Sequence, residues 1–288
     1  MSVITQSLAA TRKNLGALTV ERLLPAAARQ AVGPFLFLDH IGPATLAPGQ
    51  GVDVPPHPHI GLATVTYLFE GALLHRDSLG SVQEIHPGDV NWMTAGAGIA
   101  HSERTPAHLR AVGSRIHGLQ FWVALPVDLE QVAPSFQHHP APSLPRVDGR
   151  GYVLTLIAGH AWGLVSPVQL HSPLFYADLH FTGPGCFPVT TDYPERAIYL
   201  VEGSARIDGE PLTSGQVHML AANAAAVLEA DGPARLMVFG GEPLGPRRMW
   251  WNFVASTPDL ISAARTRWAE GGFPDVPGET ERLPLPAR

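Results

Sequence analysis

The stretch VTYLFEG (65–71) returns as AIYLVEG (197–203), 132 residues further along the chain. A second pair of similar stretches, GDVNWM (88–93) and GQVHML (215–220), is separated by 127 residues. Similar motifs that occur in the same order at nearly the same separation indicate an internal repeat. The repeat predicts that the chain contains two similar domains.

The two copies differ in length at one place, between their paired glycines. The first copy has ALLHRDSLGSVQEIHP there, and the second has the shorter SARIDGEPLTS. Both segments are typical of β-hairpins, with an Asp-Ser-Leu-Gly turn (77–80) in the first and an Asp208-Gly209 turn in the second. Because a hairpin loop can shorten without disturbing the sheets beneath it, the length difference is compatible with two β-domains of one kind.

Prolines mark the segment between the copies, where APSFQHHPAPSLPRVDGR (133–150) holds Pro134, Pro140, Pro142 and Pro145. Proline cannot donate to a strand ladder, so this segment is predicted to be a connector. We therefore expect an N-terminal domain at residues 1–133, a proline-rich linker at 134–149 and a C-terminal domain at 150–288.

A helix is predicted near the end of the C-terminal domain. Thr257 can cap it, with Pro258 in the first turn and Asp259 near the positive end of the helix dipole. Gly271 and Gly272 end it, and an extended tail, RLPLP (282–286), follows without assigned chemistry. The apolar residues that share one face of this helix are Leu260, Ile261, Ala264 and Trp268.

Composition limits the classes of function. Glycine (29) and proline (28) are abundant and 45% of residues are hydrophobic, which favours an all-β fold of short strands around a full core. The net charge of −6 is unfavourable for binding nucleic acid directly. Neither a secretory signal nor a membrane-length apolar run is found, and the single cysteine, Cys186, is expected to be a buried thiol in a reducing compartment. These features predict a cytoplasmic protein.

The stretch PPHPHIG (55–61) presents two histidines, His57 and His59, behind a pair of prolines. Side chains two residues apart in a strand point to the same face. Pro58 fixes its own φ and biases His57 towards extended backbone, so the two imidazoles are held in a set direction. This arrangement is typical of a preorganised ligand pair.

A second pair with the same spacing, His101 and Glu103, ends the stretch TAGAGIAHSE (94–103). If the strands that carry the two pairs are neighbours, three imidazoles and one carboxylate converge. Such nitrogen and oxygen donors suit one divalent ion of iron, manganese, nickel, copper or zinc. Four protein ligands around an octahedral ion leave two positions for water, oxygen or substrate.

Each of these residues also has an ordinary interpretation. The histidine pair and His101 can be structural histidines, and Glu103 can be a surface carboxylate. The other histidines are expected to be packing or solvent-facing groups, namely His40, His75, His86, His108, His117, His138, His139, His160, His171, His180 and His218.

The second copy of the repeat lacks all four donors. The offsets of the repeat carry the four candidate ligands onto Val189, Thr191, Leu228 and Ala230. The second domain is therefore expected to keep the scaffold and to lack the metal site.

Several long motifs resemble those of the pirin family, which belongs to the bicupin superfamily. They are VGPFLFLDHIGP (32–43), HPHIGLATVTYLFEG (57–71), GDVNWMTAGAGIAHSE (88–103), HGLQFWVALP (117–126) and WWNFVAS (250–256). The resemblance extends over nearly the whole chain. It implies two tandem cupin domains, which are jelly-roll-like β-barrels, with a C-terminal helix and a degenerate second barrel. One departure is that Ala63 and Thr64 stand where many cupins place a glutamate, and pirins take this carboxylate from the His-Ser-Glu strand instead.

The resemblance also implies a metal centre and an activity. The four metal ligands of the family fall on His57, His59, His101 and Glu103, and the usual metal is iron, here expected as Fe(II). Bacterial members are described as quercetin 2,3-dioxygenases, which are oxidoreductases that cleave a flavonol with O2. In such a reaction Glu103 would also be the catalytic base for the 3-hydroxyl group of the flavonol.

Two other functions stay open at this point. The protein can be a metal-dependent redox sensor that binds a protein partner without turnover, because animal pirins are linked to transcriptional co-regulation and half of the molecule keeps its shape without chemistry. It can also be another cupin enzyme, such as a sugar isomerase, that uses the same donors.

Overall fold

The computed structural model describes residues 2–15 and 18–286 and consists mainly of β-strands. The first twelve strands are β1 (Ile4–Ala9), β2 (Thr11–Leu15), β3 (Leu18–Leu24), β4 (Phe35–Leu46), β5 (Asp53–His59), β6 (Leu62–Glu70), β7 (Leu73–Asp77), β8 (Val82–Ile85), β9 (Val90–Thr94), β10 (Ile99–Arg104), β11 (Ser114–Ala124) and β12 (Ser135–His139). The other strands are β13 (Arg146–Gly149), β14 (Tyr152–Ala161), β15 (Leu164–Val165), β16 (Leu174–Phe181), β17 (Gly185–Val189), β18 (Glu195–Gly203), β19 (Arg206–Ile207), β20 (Glu210–Pro211), β21 (Gln216–Leu220), β22 (Ala226–Ala230), β23 (Ala234–Gly241), β24 (Arg248–Trp250) and β25 (Phe253–Ala255).

The helices are short. They are α1 (Ala107–Val112) and α2 (Pro258–Ala269), with single 3-10 turns at Val127–Leu129 and Ala141–Ser143. The predicted helix is confirmed as α2, whose first turn is capped by the Thr257 side chain and whose buried face contains Ile261, Ala264 and Trp268. The six-residue helix α1 was not predicted. In the described part of the chain, no helix combines the length and the apolar character that crossing a membrane requires.

The chain forms two compact units, and each draws on more than one stretch of sequence. Of the described residues, one unit contains 2–12, 21–38 and 142–244, and the other contains 13–15, 18–20, 39–141 and 245–286. The predicted proline-rich linker contributes strands β12 and β13, so it is not a bare connector. The domain boundaries at 133 and 150 stay a prediction about the two copies of the repeat.

The repeat is visible in the strand order. A four-stranded sheet of order β5-β10-β7-β8 in one unit corresponds to a four-stranded sheet of order β17-β22-β19-β20 in the other. The larger sheets contain the corresponding runs β9-β6-β11 and β21-β18-β23, within the orders β12-β9-β6-β11-β4-β3-β2 and β1-β21-β18-β23-β16-β14-β13. Both predicted hairpins form, as β7–β8 and as β19–β20. The predicted all-β fold of two similar domains is therefore confirmed.

The unit that contains residues 142–244 is filled with apolar side chains. Its core includes Phe175, Phe181, Phe187, Ile198 and Leu228, all at most 4% exposed. Cys186, which was expected to be a buried thiol, is exposed instead because strand alternation buries its neighbour Phe187. This unit has the packing of a solid β-barrel core.

In the other unit, helix α2 packs beside the strands that carry the candidate ligands. Ile60 and Ala100, next to β5 and on β10, share a buried cluster with Phe253 of β25 and with Ile261 and Trp268 of α2. Residues of β25 and α2 therefore pack against the segment that follows β5.

Gly61 lies two residues after His59 and requires the absence of a side chain. Its φ is +68°, and a Cβ atom there would lie 2.1 Å from the carbonyl oxygen of Val254. Gly80 in the β7–β8 turn also has a positive φ, +92°, but a Cβ atom there would meet nothing within 4 Å. The two glycines thus differ in the space around them.

We expect Gly61→Ala to be much more destabilising than Gly80→Ala. Both substitutions incur backbone strain of about 1–2 kcal/mol, but only Gly61→Ala adds a backbone clash, which should bring its cost to about 4 kcal/mol. Denaturant-induced unfolding of the two variants measures the difference. Equal losses of stability would contradict the close approach of Gly61 to Val254.

Candidate metal centre

Strands β5 and β10 bring the two predicted ligand pairs together. They are antiparallel neighbours, with His101 opposite His57 and Ile99 opposite His59. The expectation that these two strands lie side by side is confirmed. Residues directly opposite each other in an antiparallel pair have side chains on the same face, so His57 and His101 are adjacent.

A bulge lies beside the ligands. Between His57 and Val54, β5 advances three residues while β10 advances two, from His101 to Glu103. The extra residue falls at Pro55–Pro56, where the chain has no backbone N–H to offer a ladder. The prolines are thus tolerated within the strand because the ladder is already interrupted there.

The imidazoles of His57, His59 and His101 form a buried cluster. The three side chains are at most 7% exposed, and one nitrogen from each lies within 4.8 Å of the others. The Nε2 atoms of His59 and His101 are 3.1 Å apart. Two nitrogens bound to one ion at about 2.0–2.1 Å, at angles between 90° and tetrahedral, are about 2.8–3.4 Å apart. The spacing therefore fits two ligands of a single metal ion.

Backbone carbonyl groups orient two of the three rings. The Nδ1 atom of His57 is 2.9 Å from the Pro55 carbonyl oxygen, and that of His59 is 3.1 Å from the Asn252 carbonyl oxygen. Each Nδ1–H can donate to its carbonyl, which leaves the Nε2 lone pair for a metal. The Nδ1 atom of His101 is buried and has no hydrogen-bond partner among the described residues.

Burial keeps these imidazoles neutral. Desolvation lowers the pKa of His57 to about 4, against the opposing hydrogen bond to Pro55. Burial, together with the neighbouring histidines, holds the pKa values of His59 and His101 well below their usual value. Neutral imidazole is the form that binds metal ions, so the cluster is ready for a cation at neutral pH.

Glu103 is half-buried on the same strand and is not part of the three-histidine cluster. It lies opposite His75 of β7, and its Oε1 accepts a hydrogen bond of 3.2 Å from the Thr66 hydroxyl group. Burial raises the pKa of Glu103, although His75 and Thr66 act in the opposite direction. Three of the four predicted ligands therefore form a cluster, and the fourth, Glu103, lies two residues beyond His101 on β10.

Thr66 connects Glu103 to Gln120. Its hydroxyl oxygen is also 3.0 Å from Oε1 of Gln120. One hydroxyl proton cannot serve both neighbours, and the two ends of a glutamine amide are interchangeable when hydrogens are assigned. With the amide rotated, Gln120 donates to Thr66 and Thr66 donates to Glu103, which gives a consistent chain of hydrogen bonds.

Sequence reasoning missed His75 and Asp77. The His75 ring centroid is 5.3 Å from that of His101, and its Nε2 is 3.0 Å from an Asp77 carboxylate oxygen. Burial raises the pKa of Asp77, but hydrogen bonds from His75 and Ser81 outweigh this and hold it below its usual value. The buried residues of β7 are Leu73, His75 and Asp77, so strand alternation was the signal that could have found the pair.

In the other unit, the strands that correspond to β5 and β10 carry apolar side chains at the positions that face the core. Strand β17 pairs with β22, with Phe187 opposite Leu228 and Val189 opposite Ala226. These four side chains belong to the apolar core of that unit, whereas β5 and β10 carry histidines at the candidate metal centre. In residues 2–15 and 18–286, the histidine cluster is the one group of three or more His, Cys, Asp or Glu residues with the spacing of a metal site.

The buried imidazoles predict acid sensitivity of the metal-free protein. The pKa of His40 is also lowered to about 4 by burial and by His117, so four buried histidines take up protons more readily when the chain is unfolded. Stability is then fully present above about pH 6.5 and falls as the pH drops towards 4, by up to about 1.4 kcal/mol per pH unit for each such group. The raised pKa of Glu103 makes the folded state more stable as the pH falls, but this is one group against four histidines.

Thermal unfolding of chelator-treated protein between pH 7 and pH 5 measures this effect. The midpoint should fall steadily across that window, which lies above the usual pKa values of carboxylates. His86→Asn, which removes an exposed histidine, should leave the pH dependence unchanged. A midpoint that stays constant would show that the four imidazoles are not held neutral by burial.

Sequence models of two domains match this chain. The pirin model matches residues 17–123, and the model of the pirin C-terminal cupin domain matches residues 176–274. Together they extend over most of the chain and include all of the candidate ligands.

Known proteins resemble the chain over nearly its full length. A pirin-like protein of Caulobacter vibrioides is 47% identical over 96% of this chain and 97% of its own length. A Pseudomonas aeruginosa protein with the provisional name quercetin 2,3-dioxygenase is 42% identical over 89% of this chain and 80% of its own. The crystal structure of quercetin 2,3-dioxygenase from Acinetobacter baumannii superimposes with a TM-score of 0.91 and is 35% identical, over 98% of this chain and 95% of that one. The chain therefore belongs to the pirin family of bicupin proteins.

Proposed function

We propose that His57, His59, His101 and Glu103 hold one divalent metal ion, Fe(II) in the cell, and that the protein is a flavonol dioxygenase of the quercetin 2,3-dioxygenase type. The observation that carries the metal centre is the pair of Nε2 atoms 3.1 Å apart within a buried cluster of three neutral imidazoles. The buried nitrogen lone pairs of such a cluster lack a favourable partner unless they bind a cation or share a proton, and leaving them without a partner is costly.

Glu103 is proposed as the fourth ligand because it is half-buried on β10, two residues beyond His101. A buried carboxylate without a cation is costly, and burial already raises the pKa of Glu103. Oε1 is engaged by Thr66, so Oε2 is the oxygen that we assign to the ion. Four protein donors of the type His3Glu leave open positions on an octahedral ion, which a catalytic site requires.

The proposed activity draws on the names of the relatives and on the chemistry of the site. When bound, the ion supplies a Lewis acid for a substrate oxygen and a site at which substrate and O2 meet. Glu103 accepts the proton of the flavonol 3-hydroxyl group, since its raised pKa makes it a better base near neutral pH. Thr66 holds that carboxylate in place, and Trp122, whose ring centroid is 5.2 Å from that of His59, provides an aromatic wall.

The deprotonated flavonol is the species that O2 oxidises. Cleavage of the two ring bonds to C3 releases this carbon, with its own oxygen, as carbon monoxide. Both atoms of O2 are incorporated into the depside product. The small-molecule partners are therefore a flavonol and O2. We also propose the cytoplasm as the compartment, because the exposed thiol of Cys186 has no disulfide partner and persists in a reducing environment.

Loss of a ligand should reduce metal content. His57→Ala, His101→Ala and Glu103→Ala are each expected to lower bound iron at least tenfold at equal total metal, because each removes a donor from the ion. Elemental analysis of the purified proteins measures the occupancy. His86→Ala, which changes a histidine with a mostly exposed side chain, is the matched control and should retain full occupancy.

Turnover is tested with quercetin under anaerobic conditions followed by O2. Addition of quercetin to the iron-loaded protein should shift the absorption of the flavonol, and O2 should then release one carbon monoxide per flavonol consumed. Glu103→Gln, loaded with iron to the same occupancy as the wild type, should bind the flavonol without the shift that accompanies deprotonation. Metal-loaded protein that releases no carbon monoxide with iron, manganese, nickel or copper would exclude the dioxygenase and favour a regulatory role.

A further inference from the structure

The face of β10 opposite the metal ligands is covered by a segment near the end of the chain. Residues 273–285, which we call the strap, follow α2 and run beside β5 and β10. Strand alternation directs Ser102 and Arg104 away from His101 and Glu103, and both meet Glu279 of the strap. The Ser102 hydroxyl group donates to the Glu279 carboxylate at 2.8 Å, and the Arg104 guanidinium donates to both of its oxygens.

The contact between Arg104 and Glu279 is a bidentate ion pair in a nearly buried place. Nε and Nη2 of Arg104 lie 2.8 and 2.6 Å from the two carboxylate oxygens, and the Glu279 side chain is 6% exposed. Bidentate pairs of this kind fix direction as well as distance. The residues on both sides of Glu103 are thus held by a single carboxylate.

The strap also contacts β5 at its bulge. The backbone N–H of Leu283 donates to the carbonyl oxygen of Pro56 at 2.9 Å. This carbonyl group lies where the ladder between β5 and β10 changes register, immediately before His57. Beyond the bulge, where Arg104 pairs with Asp53, their side chains are also in contact, at 3.2 Å. The strap therefore supplies contacts at the place where two prolines and a bulge remove ladder bonds.

The strap itself is anchored to α2. Phe273 and Val276 are buried in the cluster that contains Ile261 and Trp268. The indole N–H of Trp268 donates to the Leu283 carbonyl oxygen at 2.9 Å. Because both of its ends are held, the strap can transmit a fixed position to β10.

We propose that Glu279 is a positioning residue of the metal centre, which holds Ser102 and Arg104 so that the Glu103 carboxylate stays directed at the ion. The inference rests on the proposed function, since it takes Glu103 as a metal ligand. Without Glu279, His57 and His59 keep their own carbonyl partners, and the carboxylate ligand on β10 is the one that loses its support.

The test uses Co(II) binding by the full-length protein and the variant Glu279→Gln. Glutamine has nearly the same size but lacks the charge that binds the guanidinium. We expect the Co(II) dissociation constant, measured by competition with a chelator, to rise at least tenfold, as is typical when a group that orients a ligand is lost. The visible absorption of bound Co(II) should change as well, because a weakened carboxylate ligand alters the ligand field.

The matched control is Glu281→Gln. Glu281 binds the same guanidinium at 2.9 Å, but its side chain is 63% exposed, and its loss should leave both the affinity and the spectrum unchanged. Glu279→Asp, which restores the charge, should recover part of the affinity. Ser102→Ala, which removes one hydrogen bond to Glu279 and little volume, repeats the test with a smaller loss if Glu279→Gln does not fold.

The outcomes separate the two proposals. Wild-type protein that binds no Co(II) at the histidine cluster would overturn the proposed metal centre. Wild-type protein that binds Co(II), with Glu279→Gln and Ser102→Ala showing the same affinity and spectrum, would overturn the role of Glu279 and leave the metal centre intact. A change in thermal stability of the metal-free variants without a change in the spectrum would also contradict a positioning role.

Discussion

The antiparallel pairing of β5 with β10 is the constraint on which the candidate site depends. It sets His101 opposite His57 and, through the bulge at Pro55–Pro56, sets Glu103 opposite Val54. A shift of one residue in this register would turn one set of ligands to the other face of the sheet. The prolines, which cannot donate to a ladder, and the contacts of Asn252 and the strap all reinforce this one register.

The electrostatics of the candidate site favour the binding of a cation. The three imidazoles are neutral at pH 7 because burial lowers their pKa values, and partial burial raises the pKa of the nearby Glu103 carboxylate. A divalent ion would satisfy the imidazole lone pairs and would compensate the carboxylate at once. In the other unit, the equivalent strands are packed with Phe187, Val189 and Leu228, so the same fold there has an apolar interior.

Much of this arrangement follows from local sequence patterns. The i, i+2 spacing of His57 and His59 predicts that they share one face of a strand, and Thr257 predicts the start of α2. Both features depend only on residues close in sequence. The role of the strap could not be predicted, because Glu279 meets Ser102 across 177 residues and RLPLP has no periodic pattern. His75 was expected to be a packing or solvent-facing group, because no local pattern shows that its strand pairs with β10. Cys186 was expected inside and is outside, since composition does not tell which face of a strand a residue occupies.

Anomalous diffraction at the iron edge from crystals of the iron-loaded protein tests the four-ligand centre most directly. We expect one strong peak bonded to the Nε2 atoms of His57, His59 and His101 and to a carboxylate oxygen of Glu103. A peak elsewhere in the molecule, or an ion that contacts the histidines while Glu103 stays on Thr66 with neither oxygen bound to it, would contradict the four-ligand centre.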